Sequence, residues 1–160
     1  MRILPKKIFF VKGKGVHEDA LISFELALRD AGIEKFNFVP VSSIIPPECK
    51  VVEAKDGLKE LEAGEIVFCV MARKTSSEQG KTIYASIGAA FPKGNFHGYL
   101  TEYCGFLNTN DFDPGKYAEA SAIKMFKMVH GIRPEKTFHI TSFSKVEKFT
   151  TVVAVAVFII

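Results

Sequence analysis

The last ten residues, Thr151 to Ile160 (TVVAVAVFII), are almost wholly apolar and rich in β-branched side chains. A run of this kind reads as a strand. It lacks the alternation of a half-solvated strand, so both of its faces need cover. Glu65 to Ala72 (EIVFCVMA) makes the same demand. With 160 residues, 48% of them hydrophobic, the chain has enough material to bury both runs in one domain spanning 1–160. No internal repeat, low-complexity tract or linker-like stretch divides it.

The other elements follow from periodicity and punctuation. Lys7 to Val11 (KIFFV) reads as a first strand, and the glycines of Lys12-Gly13-Lys14-Gly15 are expected to break it into a turn. His17 to Ala31 reads as a helix: Ala20, Leu21, Phe24, Ala27, Leu28 and Ala31 recur at three- and four-residue spacing, with Gly32 as the stop. Phe36 to Val41, Phe96 to Tyr103 and Phe138 to Phe143 read as strands, and Thr75 to Lys81 as a polar loop. Thr82 to Phe91, apolar with many small residues, is ambiguous. Asp113 to Val129 is a second helix, with Asp113 as N-cap, Pro114 at the first helical position and Gly131 as the stop. Runs of strands with two main helices give an α+β layered domain.

Composition narrows the function. Net charge is +3, with basic residues scattered among acidic ones, whereas a nucleic-acid partner calls for a clustered basic face. No apolar stretch is long enough to span a membrane, and the start, MRILPKKIFF, does not read as a secretion signal. Three cysteines (Cys49, Cys69 and Cys104) and four histidines (His17, His97, His130 and His139) show no metal-ligand spacing, so no metal is expected. Reduced thiols in a cytoplasmic protein are the simplest reading, with Cys104 as a small buried residue.

The segment that carries chemistry runs from Asn37 to Pro47 (NFVPVSSIIPP). Ser42 and Ser43 lie between a β-branched strand and a rigid Ile-Ile-Pro-Pro exit. The prolines forbid helix there and deny a central sheet two backbone donors. Gly, Asn or Asp would be the usual choice for a plain turn. A serine pair alone is common; Ser76-Ser77 is another, in a polar loop, and has no assigned function.

In this context the segment resembles the pyruvoyl-dependent arginine decarboxylases of archaea and some bacteria. The resemblance extends to SFELALRDAGI before the serines and GYLTEY (Gly98 to Tyr103) after them, and covers most of the chain. It implies an αββα sandwich and self-cleavage between Ser42 and Ser43. The Ser43 hydroxyl attacks the Ser42 carbonyl, elimination frees the upstream chain, and loss of ammonia leaves a pyruvoyl group on the downstream chain. That group takes the place of pyridoxal phosphate as the electron sink. By the same resemblance Asn37 holds the scissile carbonyl, Glu102 returns a proton to the α-carbon, and Glu25, where the family typically has Asp, meets the substrate guanidinium. A carboxyl on an otherwise apolar strand, as Glu102 is, has a raised pKa suited to a general acid.

The implied activity is decarboxylation of arginine to agmatine for polyamine synthesis, by trimers or hexamers with active sites shared between subunits. Two rivals stand beside it: the same chemistry on another amino acid such as aspartate, and a non-processing structural or regulatory paralogue.

Overall fold

The computed structural model describes residues 1–160. Two sheets stack face to face between outer helices. The first strand, β1 (Lys7–His17), leads into α1 (Ala20–Asp30), followed by β2 (Asn37–Pro40), β3 (Ile44–Ile45), β4 (Lys50–Val51), the single turn α2 (Ala54–Gly57) and a 3-10 turn, Leu58–Glu60. Next come β5 (Ile66–Ser76), β6 (Thr82–Ala90), β7 (Gly98–Leu107), α3 (Pro114–His130), β8 (Thr137–Lys145) and β9 (Phe149–Ile159). One sheet has the order β2-β5-β9-β1-β4 and the other β3-β7-β6-β8. The expected αββα sandwich is the architecture observed.

Alternation along the strands builds three apolar layers. Between the sheets lie Ile8, Val70, Ala72, Ile83, Ile87, Leu100, Ala154 and Phe158. The opposite face of the five-stranded sheet gives Phe9, Val11, Val67, Cys69, Val153 and Val155 to α1 residues Ala27 and Leu28. On the far side of the other sheet, Ala90 meets Ala122 and Phe126 of α3. Strand β9, the run with no polar face, is central in its sheet and buried on both faces. No helix is long and apolar enough to cross a membrane.

The α3 boundaries are those read from sequence. Asp113 accepts from the Lys116 amide, Pro114 opens the helix, and Gly131 closes it in the left-handed region at φ 69°. The ambiguous Thr82 to Phe91 run is strand β6. The expected break at Gly13 and Gly15 is corrected: β1 continues through both, paired to β9 as far as His17. A Cβ on Gly13 would lie 2.1 Å from the Ala27 carbonyl oxygen, and one on Gly15 2.3 Å from that of Ser23. These glycines let α1 backbone press onto the sheet. The expected loop after Ala72 also shortens, because β5 runs on to Ser76. Cys104 is exposed, not buried as expected; Cys49 and Cys69 are the buried thiols.

Candidate active site

Ser42 and Ser43 occupy the link between the two sheets. Upstream, edge strand β2 pairs in parallel with β5, ending with Pro40 opposite Cys69, and the Val41 amide adds a hydrogen bond to the Cys69 carbonyl at 2.9 Å. Downstream, edge strand β3 pairs antiparallel with β7, Ile44 opposite Tyr99, and the Leu100 amide donates to the Ser43 carbonyl at 2.7 Å. The chain therefore leaves one sheet and joins the other within three residues. The 42–43 peptide spans the gap, with its flanks fixed to different layers. Ser42 is exposed and Ser43 half-buried.

The exit is rigid for the reason read from sequence. Ile45 and Pro46 are buried. Cys49 N–H then closes a turn onto the Pro46 carbonyl at 3.2 Å, with Pro47 and Glu48 at its corner. Glu48 has φ 65°, a left-handed conformation a side chain adopts at some cost.

Glu102 is two residues beyond Leu100 on β7, past the end of the two-residue β3, and so shares the face that Leu100 turns toward the other sheet. Its carboxyl is accessible at the open edge, yet desolvation by the surrounding protein raises its pKa above the ordinary carboxylate range. Its charge is felt through the sheet at Cys69, on the face toward α1: burial, with a smaller contribution from Glu102, pushes that thiol up to about 12. One short stretch thus holds the 42–43 peptide, the strand residue that anchors it, and a carboxyl with raised proton affinity. Beside them opens an apolar cleft of about 350 Å³, lined by Ser42 with Val41, Ile44 and Phe68 among its walls.

The other two expected site residues lie apart from this group within one chain. Asn37 is at the far end of β2, roughly 13 Å along the strand from Val41. Its amide donates to the Gly64 carbonyl at 2.8 Å. Glu25 is on α1, which packs on β1, β9 and β5 from the outside of the five-stranded sheet, across that sheet from the cleft. It pairs with Arg29 one turn on. Leu21, expected in the buried stripe of this helix, is instead 72% exposed, one turn before Glu25. The anchoring roles of the Cys69 carbonyl and the Leu100 amide had no signature in the sequence, because main-chain groups supply them.

No group of three or more His, Cys, Asp or Glu side chains is placed to hold a metal ion. A prosthetic group made from residue 43 itself fits this setting. The residue is half-buried beside the cleft, and cutting the bond before it leaves its carbonyl on the Leu100 amide.

Comparison with known proteins agrees. Residues 7–160 match the family model described as pyruvoyl-dependent arginine decarboxylase. The chain belongs to the pyruvoyl-dependent arginine decarboxylase family. Pyruvoyl-dependent arginine decarboxylase 1 of Archaeoglobus fulgidus is 60% identical over 159 residues, 99% of this chain and 100% of that one. Pyruvoyl-dependent arginine decarboxylase 2 of the same organism is 52% identical, covering all of both chains. Pyruvoyl-dependent arginine decarboxylase 1 of Methanosarcina acetivorans is 47% identical over 99% of this chain and 98% of its own. The family assignment therefore rests on nearly the whole length, not on the serine segment alone.

Proposed function

We propose that the chain cleaves itself between Ser42 and Ser43 and then decarboxylates L-arginine to agmatine and carbon dioxide, in the cytoplasm, for polyamine synthesis. The observation that carries this reading is the 42–43 peptide held between two sheets beside Glu102, in a chain of this family.

For cleavage, the Ser43 hydroxyl adds to the Ser42 carbonyl, and the peptide nitrogen leaves that carbon as the ester forms. Elimination across Cα–Cβ of residue 43 breaks the ester, frees the Ser42 carboxylate and leaves a dehydroalanine. Water adds and ammonia departs, leaving a ketone at residue 43. The hydrogen bonds from Val41 to Cys69 and from Leu100 to Ser43 hold both flanks still, the positioning such an attack needs.

In turnover the pyruvoyl group supplies the ketone that binds the substrate amine and draws electrons as carbon dioxide leaves. Glu102 keeps its proton to higher pH than an ordinary carboxylate and delivers it to the α-carbon. Glu25 receives the distal guanidinium as a charge-assisted pair. Glu25 and Asn37 both act on a neighbouring subunit: Glu25 on the substrate bound there, and Asn37 on the scissile bond, where it polarises the Ser42 carbonyl. A trimer, or a hexamer of two trimers, provides that neighbour. The exposed apolar side chains along the β2–β3 edge, Val39, Val41 and Ile44, with Ile66 beside them on β5, support an edge covered by another copy.

Denaturing mass spectrometry tests cleavage directly. The expected products are residues 1–42 and residues 43–160, the second blocked at its N-terminus, with Ser43→Ala intact and inactive. A parent chain still whole after prolonged incubation would sink the proposal. Carbon dioxide release from arginine, lysine, ornithine and aspartate then fixes the substrate, and release from aspartate alone would overturn the arginine assignment.

A further inference from the structure

The carboxylate assigned above to the substrate guanidinium already holds a guanidinium in the folded chain. Arg29, one helical turn after Glu25, donates its Nε–H to Glu25 Oε1 at 2.9 Å. Both side chains are open to solvent, Arg29 at 61% and Glu25 at 40% exposure, so another cation can approach the pair. The bond engages a single carboxylate oxygen. Arg73 of β5 makes a contrast nearby: its guanidinium lies 3.6 Å from the centre of the Phe24 ring and forms no ion pair with Glu25.

Arg29 and free arginine carry the same terminal group. An exposed pair at this helical spacing is weak enough to be exchanged. A guanidinium arriving at Glu25 nonetheless meets a carboxylate partly neutralised, and a like charge beside the place it must occupy. We propose that Arg29 is an internal competitor: it mimics the distal end of the substrate, holds Glu25 ready, and weakens guanidinium binding by occupying its partner. The proposal rests on the assignment of Glu25 to the substrate guanidinium. It adds that binding strength is set by a residue one turn away which makes no favourable contact with the ligand.

The consequence runs opposite to that of losing a binding residue. Arg29→Met removes the charge and keeps a good helix former of similar length. In the self-cleaved enzyme this variant should bind agmatine about fivefold tighter by titration calorimetry, the effect of removing one like charge at about 4 Å in a water-like dielectric. The KM for arginine should fall by a similar factor with kcat unchanged. Arg29→Lys, which keeps the charge, should return both values toward those of the parent, whereas a merely structural role for Arg29 would make both variants bind more weakly. Glu25→Gln measured alongside separates the two levels of the argument. If Glu25→Gln weakens agmatine binding and Arg29→Met does not tighten it, the competitor proposal fails while the Glu25 assignment stands. If Glu25→Gln has no effect on agmatine, the assignment itself fails and the competitor proposal with it.

Discussion

Desolvation at the open edge of β7 sets the proposed catalytic role of Glu102 against its contribution to stability. Its raised pKa means that folding favours the protonated carboxyl. The stability contributed by that preference is full below the unfolded-state pKa and is lost as pH rises through the folded one. Near neutral pH the ionised side chain is therefore a burden that an uncharged isostere lacks. Glu102→Gln should melt at a higher temperature than the uncleaved parent at pH 8, and the gap should close toward pH 4; scanning calorimetry of both proteins on a Ser43→Ala background reads this. With Ser43 restored, the same variant should still self-cleave, since serinolysis uses a hydroxyl and a carbonyl. It should lose decarboxylation about 10²–10⁴-fold, as expected for removal of a general acid. Parent turnover falling as pH rises through the Glu102 pKa, with the fall absent from the residual activity of the variant, would complete the assignment. Unchanged turnover in the Gln variant would make Glu102 a strand residue of no catalytic consequence.

At the scale of elements, the fold was readable where a boundary has a local cause and not where the cause lies in another layer. Asp113, Pro114 and Gly131 act on their own helix, so both ends of α3 could be located from sequence. Gly13 and Gly15 are in β1 because α1, which crosses them, needs their missing side chains. Taken locally, such glycines look like a break. The site divides in the same way. Ser42, Ser43 and Glu102 could be proposed from sequence because side-chain motifs, the serine pair before Ile-Ile-Pro-Pro and GYLTEY, resemble those of the family. The anchors on Cys69 and Leu100 are main-chain groups, placed by sheet pairing across some 30 and 60 positions of sequence, and at position 100 any residue but proline could supply the donor. Leu21 was misplaced because it falls within the buried periodicity of α1 although it faces outward. The close approach at Gly13 makes its own prediction. Gly13→Ala puts a methyl group against the Ala27 carbonyl and must lift α1 from the sheet, at a cost of about 1–3 kcal/mol, the usual range for overpacking. Chemical denaturation should show the midpoint falling with little change in slope. A variant as stable as the parent would mean that α1 does not press on β1 as closely as described.

For the whole molecule, the layers determine what a single chain lacks. Glu102 and the 42–43 peptide share the gap between the sheets, while Glu25 rides outside the five-stranded sheet, so one chain does not unite them. A closed ring of identical subunits can, because a head-to-tail contact sets the open β2–β3 edge of one copy against a different surface of the next. If each site takes Glu102 from one subunit and Glu25 from its neighbour, two inactive proteins can repair each other. Self-cleaved Glu102→Gln and Glu25→Gln, each assayed alone at arginine well below KM, should be strongly impaired. Unfolded together, refolded as a one-to-one mixture and assayed under the same conditions, they should recover about a quarter of the parent activity, the share of interfaces that pair an intact Glu102 with an intact Glu25 in randomly mixed rings. A mixture no more active than the average of its parts, in rings shown by native mass spectrometry to contain both chains, would mean that Glu25 and Glu102 serve the same subunit. The path from α1 to the cleft would then have to be found within one chain.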